Sequence, residues 1–107
     1  MKRNIEEFFN NTARECSINL NTRLSWGFYF SNKDSKVLRK AKELLDSEGY
    51  STLEICYENK TYYLCVEEIN IHTKDTLYNR CKEFENIAQT LHISSFEGFD
   101  VEEMGLK

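Results

Sequence analysis

The sequence contains no proline and only four glycines. The first absence excludes PxxP ligands and stiff proline linkers. The scattered glycines form no phosphate-cradling loop. No apolar run approaches the roughly 20 residues of a membrane-crossing helix. The opening "MKRNIEEFFNNTARE" lacks the apolar stretch of a signal peptide. The expected location is therefore the cytosol, with no membrane partner. Lys and Arg number 14 against 18 Asp and Glu, a net charge of −4. That balance argues against a dedicated nucleic-acid binder, which needs clustered cations for phosphate.

Paired cysteines are missing as well. Cys16, Cys56, Cys65 and Cys81 are widely spaced, and none forms a CxxC. His72 and His92 complete no metal-ligand pattern. The four thiols read as reduced and structural, with no metal and no cofactor expected. There is no GxSxG elbow and no HExxH helix. No catalytic residue is assigned, and the reading is a protein without enzymatic activity.

Large rings are plentiful: seven Phe, six Tyr and one Trp. Their spacing gives the element order. Ile5, Phe8, Phe9 and Ala13 suit a short amphipathic helix over Arg3–Cys16, followed by a loop over Ser17–Arg23. "LSWGFYF", Leu24 to Phe30, alternates. Trp26, Phe28 and Phe30 share a core face, and Ser25, Gly27 and Tyr29 share the other. Ser31 is the expected cap of a helix carrying Val37, Leu38, Ala41, Leu44 and Leu45, which ends at Gly49.

"STLEICY" and "TYYLCVE" read as two strands joined by a tight turn at Asn59-Lys60. With Glu58 opposite Thr61, Leu53, Ile55, Tyr57, Tyr62, Leu64 and Val66 form the core face. Glu54, Cys56, Tyr63, Cys65 and Glu67 form the other. Thr73 caps a second helix with the stripe Leu77, Cys81, Phe84, Ile87, Ala88 and Leu91. A last strand runs from about Ile93 through "SFEGFD", where Gly98 suggests a bulge or a close backbone approach, and the tail "VEEMGLK" reads as frayed.

The order after the first helix is strand, helix, strand, strand, helix, strand. That is the α+β, ferredoxin-like βαββαβ plan. It predicts a four-stranded antiparallel sheet with two helices on one face plus the extra N-terminal helix. Residues 1–23 form the N-terminal helix and loop, and 24–102 the ferredoxin-like domain. The first and third strands take the centre, and the last is an edge beside the first.

Tyr29 and Tyr63 fall on the second sheet face, where RNA-recognition modules stack bases. The plainer reading is that the N-terminal helix packs Ile5, Phe8 and Phe9 there, or that a second copy does. Glu54 and Glu67 share that face and repel phosphate, and no basic aromatic motif accompanies the tyrosines. Lys33, Lys36, Arg39, Lys40 and Lys42 read as a solvated helix face, with a docking patch for an acidic partner as the sharper reading. Glu67, Glu68, Glu97, Asp100, Glu102 and Glu103 are candidates for an acidic rim.

Taken together, "WGFYF", a helix ending in "EGY", a hairpin, a helix opened by Thr, and an aromatic–acidic–Gly–aromatic strand resemble the regulator of ribonuclease E activity B family. That family's terminal strand carries a Tyr-Asp-Gly-Trp type motif. Phe96, Glu97, Gly98 and Phe99 stand in its place here. The likeness covers about Leu24 to Glu102. It implies a ferredoxin-like fold and a non-catalytic protein that binds a ribonuclease and modulates RNA turnover. Phe96, Glu97, Gly98, Phe99 and Asp100 are then the candidate partner-binding stretch, with Phe99 as a partly exposed anchor ringed by acids. An RNA-binding module using Tyr29 and Tyr63, a homodimer through the sheet, and an enzyme or small-ligand binder in a cleft between helix and sheet are the other readings.

Overall fold

Burial of three alternating rings organises the molecule. In the computed structural model, which describes residues 2–15 and 19–103, Trp26, Phe28 and Phe30 are fully buried on one face of β1 (Leu24–Asn32). Each such ring removes well over a hundred square ångströms from water, which makes this strand the axis of the core. β1 lies between β4 (Thr61–Asn70) and β5 (Ser95–Glu102), antiparallel to both. Leu64 and Val66 of β4 lie opposite Phe30 and Phe28 and complete the floor.

The helices cover that floor. α2 (Ser35–Ser47) buries Leu38, Ala41 and Leu45, and α3 (Lys74–Leu91) buries Leu77, Cys81, Phe84 and Ala88. Phe84 meets Phe28, Phe30 and Tyr50 with ring centroids 5.0–5.8 Å apart. Thr73 caps α3 as expected. Its hydroxyl accepts the Thr76 N–H while the Thr76 hydroxyl accepts the Thr73 N–H, which closes a capping box. The cap of α2 is Asp34, whose carboxylate accepts the Lys36 N–H, and not Ser31. Ser31 is buried in β1, which runs on two residues past Phe30. Gly49, at φ +94°, ends α2 with the paired backbone bonds of a Schellman turn.

Sheet order is β2-β4-β1-β5, with β3 also on β4. This is the ferredoxin-like arrangement, with β1 and β4 central. The sheet has five strands because the second strand is broken into β2 (Ser51–Thr52) and β3 (Cys56–Glu58). The turn at Asn59 and Lys60, both at positive φ, sets Glu58 opposite Thr61 as anticipated. Beyond the break the register slips by one, so Thr52 and not Leu53 lies opposite Val66. A one-residue slip turns every later side chain to the other face. Leu53 is accordingly 45% exposed, and Tyr57 at the end of the hairpin is 62% exposed.

The first helix, α1 (Lys2–Glu15), corrects a second expectation. It does not cover the far face of the sheet. Ile5 is buried in the core, and Phe8 packs edge-on against Trp26 and Phe99 at 6.0 and 5.2 Å. All three helices therefore lie on one side. Cys16, Ser17 and the last residues of the tail lie outside the described residues. Val101 and Glu102 belong to β5.

Candidate functional site: the open sheet face

The stretch Phe96–Asp100 is built around a bulge. Phe99 lies opposite Phe28 and Gly98 opposite Tyr29, but Phe96 lies opposite Phe30, so Glu97 is one residue more than β1 can match. Gly98 sits at φ +111°. Nothing stands within 4 Å of where its Cβ would be, so backbone conformation and not space favours glycine there. The extra residue puts Phe96 and Phe99 on the same side. Phe96 packs on Phe30 and Phe84, and Phe99 on Phe8 and Trp26.

The acids go the other way. The Ser31 hydroxyl donates to Glu97 at 2.5 Å, and the Tyr29 hydroxyl donates to Asp100 at 3.0 Å. Phe99 is partly exposed, as expected, but its ring is seated against the helices while Glu97 and Asp100 lie across the sheet. Neither of these two acids rings it. Alternation in β5 is thus interrupted at one residue, and that interruption sorts the motif into an aromatic side and an acidic side.

Tyr29 and Tyr63 do share the open face, where Tyr29 lies opposite Cys65 and Ser31 opposite Tyr63. Burial, reinforced by the Asp100 hydrogen bond, pushes the Tyr29 hydroxyl well above the usual phenol range, so it remains a donor. Gly27 makes room for this pair. A Cβ there would come within 2.8 Å of an Asp100 carboxylate oxygen and 3.1 Å of the Tyr29 hydroxyl.

Glu67 lies opposite Gly27, and Glu102 opposite Ser25, on the same face. No described helix packs on it, and no Lys or Arg occurs in any of the five strands. Cys65 is half-buried among Tyr29, Glu67 and Asp100, and burial raises its thiol. Lys36, Arg39 and Lys40 are exposed on α2; Lys33 Nζ donates to the Thr61 hydroxyl at the start of β4 at 3.2 Å, and Lys42 Nζ to the Thr52 hydroxyl at 2.8 Å.

Glu68 leaves the expected acidic rim. It follows Leu64 and Val66 in core register and turns inward. His72 Nε2 stands 2.9 Å from one of its oxygens, and Arg80 forks onto both at 3.2 and 2.9 Å. Arg80 also donates to Tyr50 and Glu83, each at 2.7 Å, with its guanidinium 5.4 Å from the Tyr50 ring. His72 is buried edge-on to Trp26, with Nδ1 3.0 Å from the Thr76 hydroxyl. A carboxylate only accepts, so His72 Nε2 carries the proton in this contact.

Burial opposes the charge on Glu68. Hydrogen bonds from His72, Arg80 and Asn70 outweigh it and hold the carboxyl at about 2. Burial, with Glu83, pushes the Tyr50 phenol up to about 12 against the opposing pull of Arg80. The cluster was missed in sequence. Its one signal was an acid at the fourth successive core-register position of β4, after Tyr62, Leu64 and Val66. Every partner is already committed, so the cluster braces β4 against α3. A cleft of about 470 Å³ beside it, lined by Tyr50, Glu67, Glu68 and Arg80 among others, is open to solvent.

Among the described residues, no group of three or more His, Cys, Asp or Glu is arranged to hold a metal. No described helix is long and apolar enough to cross a membrane. Fold and site together define a one-sided α+β sandwich whose second sheet face is anionic. Residues 5–101 match the family described as regulator of ribonuclease activity B, and the chain belongs to that family. None of the curated proteins compared with the chain matches it.

Proposed function

We propose that this protein regulates a ribonuclease by docking on it, with no chemistry of its own. The family is one of regulators of ribonuclease activity. The observation that carries the docking mode is the open sheet face together with the edge strand β5, whose bulged stretch Phe96–Asp100 lies inside the matched span. An edge strand offers unpaired backbone groups to a partner. The bulge fixes how Glu97 and Asp100 are displayed.

The test is degradation of a labelled RNA by a ribonuclease purified from the source organism, with and without the protein. The reading expects altered cleavage and a nuclease–protein complex on gel filtration, with no protein retained on the RNA alone. Unchanged cleavage by each purified ribonuclease, with no complex formed, overturns it.

Base stacking on Tyr29 and Tyr63 is the second reading, favoured by their common face. The same face carries Glu67, Glu97, Asp100 and Glu102 without a strand cation, which opposes phosphate. RNA binding lost in Tyr29→Ala and Tyr63→Ala, and weakened by salt, is the result that would promote it.

A further inference from the structure

We infer that the edge of β5 and the adjoining open face receive a cationic, extended segment of a partner protein, laid antiparallel or parallel along Phe99–Glu102. The inference rests on the regulator reading above and names the chemistry of its contact.

Three observations meet here. First, among the described residues β5 pairs only with β1, so its outer backbone groups form an edge. Second, after the bulge the strand is in regular register with β1 from Gly98 to Glu102, which gives a short straight run for pairing. Third, the face beside that run is anionic. Asp100 and Glu102 stand on it with Glu67 two strands away, while the described strands hold no Lys or Arg to neutralise them. Side chains of an added strand alternate between faces. Every second residue of the segment would thus lie beside these carboxylates, and Arg or Lys at those positions would complement them.

The same charges weigh against the other occupants. A second copy paired edge to edge through β5 would bring Asp100 and Glu102 of both chains together, and like charges directly across strands are destabilising. A nucleic acid would bring phosphates to the carboxylates.

The test uses the full chain and an eight-residue peptide alternating Arg and Val. Alternating Gln–Val and Glu–Val peptides and an eight-nucleotide RNA serve as comparisons, with amide NMR shifts as the readout. The expected result is binding of the Arg–Val peptide alone, with the largest shifts at Phe99–Glu102. Affinity should fall about tenfold or more in Asp100→Asn/Glu102→Gln, and severalfold between 50 and 300 mM salt. The amide of Asp100→Asn can still accept the Tyr29 hydroxyl bond. Glu102→Gln alone, at the strand end, provides a milder variant with an expected loss of a few-fold.

Equal binding of the Gln–Val peptide overturns the inference. So does undiminished binding by the variants, a preference for RNA, self-association through β5, or shifts confined to the helices. A double variant that still regulates the ribonuclease fully sinks the contact and leaves the regulator reading standing. A peptide that binds as expected while no ribonuclease responds has the reverse outcome.

Discussion

Phe96 and Phe99, three residues apart in one strand, lie on the same side of it. Regular alternation would place them on opposite faces. The single unmatched residue, Glu97, and the positive φ of Gly98 bring both rings over the helices.

Gly98→Ala should therefore cost about 1–2 kcal/mol through backbone strain alone, because the added methyl meets no neighbour. For a chain of this size that lowers Tm by roughly 5–15 °C. The aromatic near-UV signal should weaken as Phe99 loses its seat on Trp26. Gly49→Ala, also at positive φ, should lose comparable stability with that signal intact. Equal stability of Gly98→Ala and the parent would show that the bulge is not strained by a side chain.

Arg80→Met should destabilise by about 2–4 kcal/mol, since it strips the forked partner from an inward-facing carboxylate. The double variant Glu68→Gln/Arg80→Met should cost less than the sum of the two single variants, a coupling of about 1–3 kcal/mol in urea melts. Arg80→Lys should rescue only partly, because an ammonium cannot span both Glu68 oxygens while reaching Tyr50. Strict additivity would show that the pair is not coupled.

Stability should fall on the acid side. Glu68 titrates at about 2 when folded against 4.5 when unfolded. A depressed carboxyl stabilises above its unfolded value and loses that contribution as pH falls through its folded one. The loss, on the order of 2–3 kcal/mol, should be spread from about pH 5 down to about pH 2. In Glu68→Gln the urea midpoint should respond less to pH across that window. An identical pH slope in the variant would assign the effect to other carboxylates.

The thiols should react in order of burial. In a Cys16→Ser background, Cys56 is exposed and should be modified first, Cys65 more slowly, and Cys81 only on unfolding. Burial, with nearby Glu85, holds the Cys81 thiol at about 12, so little thiolate is present while the fold is closed. Mass spectrometry after timed alkylation checks the order. Early labelling of Cys81 would mean that α3 separates from the sheet in the native state.

Local rules carried much of the fold. The alternation of Trp26, Phe28 and Phe30, the turn at Asn59-Lys60, the Thr73 cap and the Gly49 stop each depend on residues a few positions apart, and each is where the pattern placed it. Facts set across the chain were not legible. The break between Thr52 and Cys56 appears only when β4 supplies a partner. The side taken by α1 depends on the gap that Trp26 and Phe99 leave for Phe8, 18 and 91 residues away in the chain. The inward turn of Glu68 required Arg80, which lies a helix turn and a half into α3. The candidate site was half legible. Its residues were named and Gly98 inside the strand suggested a bulge, but the sorting of rings to one face and acids to the other emerges only from pairing with β1.

The break between β2 and β3 has a consequence for valency. A sheet with two intact borders can be extended from both, and such units concatenate. Here one border is interrupted at residues 53–55, between strands of two and three residues, so a single border remains continuous. Docked through β5 as proposed, the molecule would fill one strand-shaped position on a larger body, and the described strands offer no second continuous border from which another unit could grow.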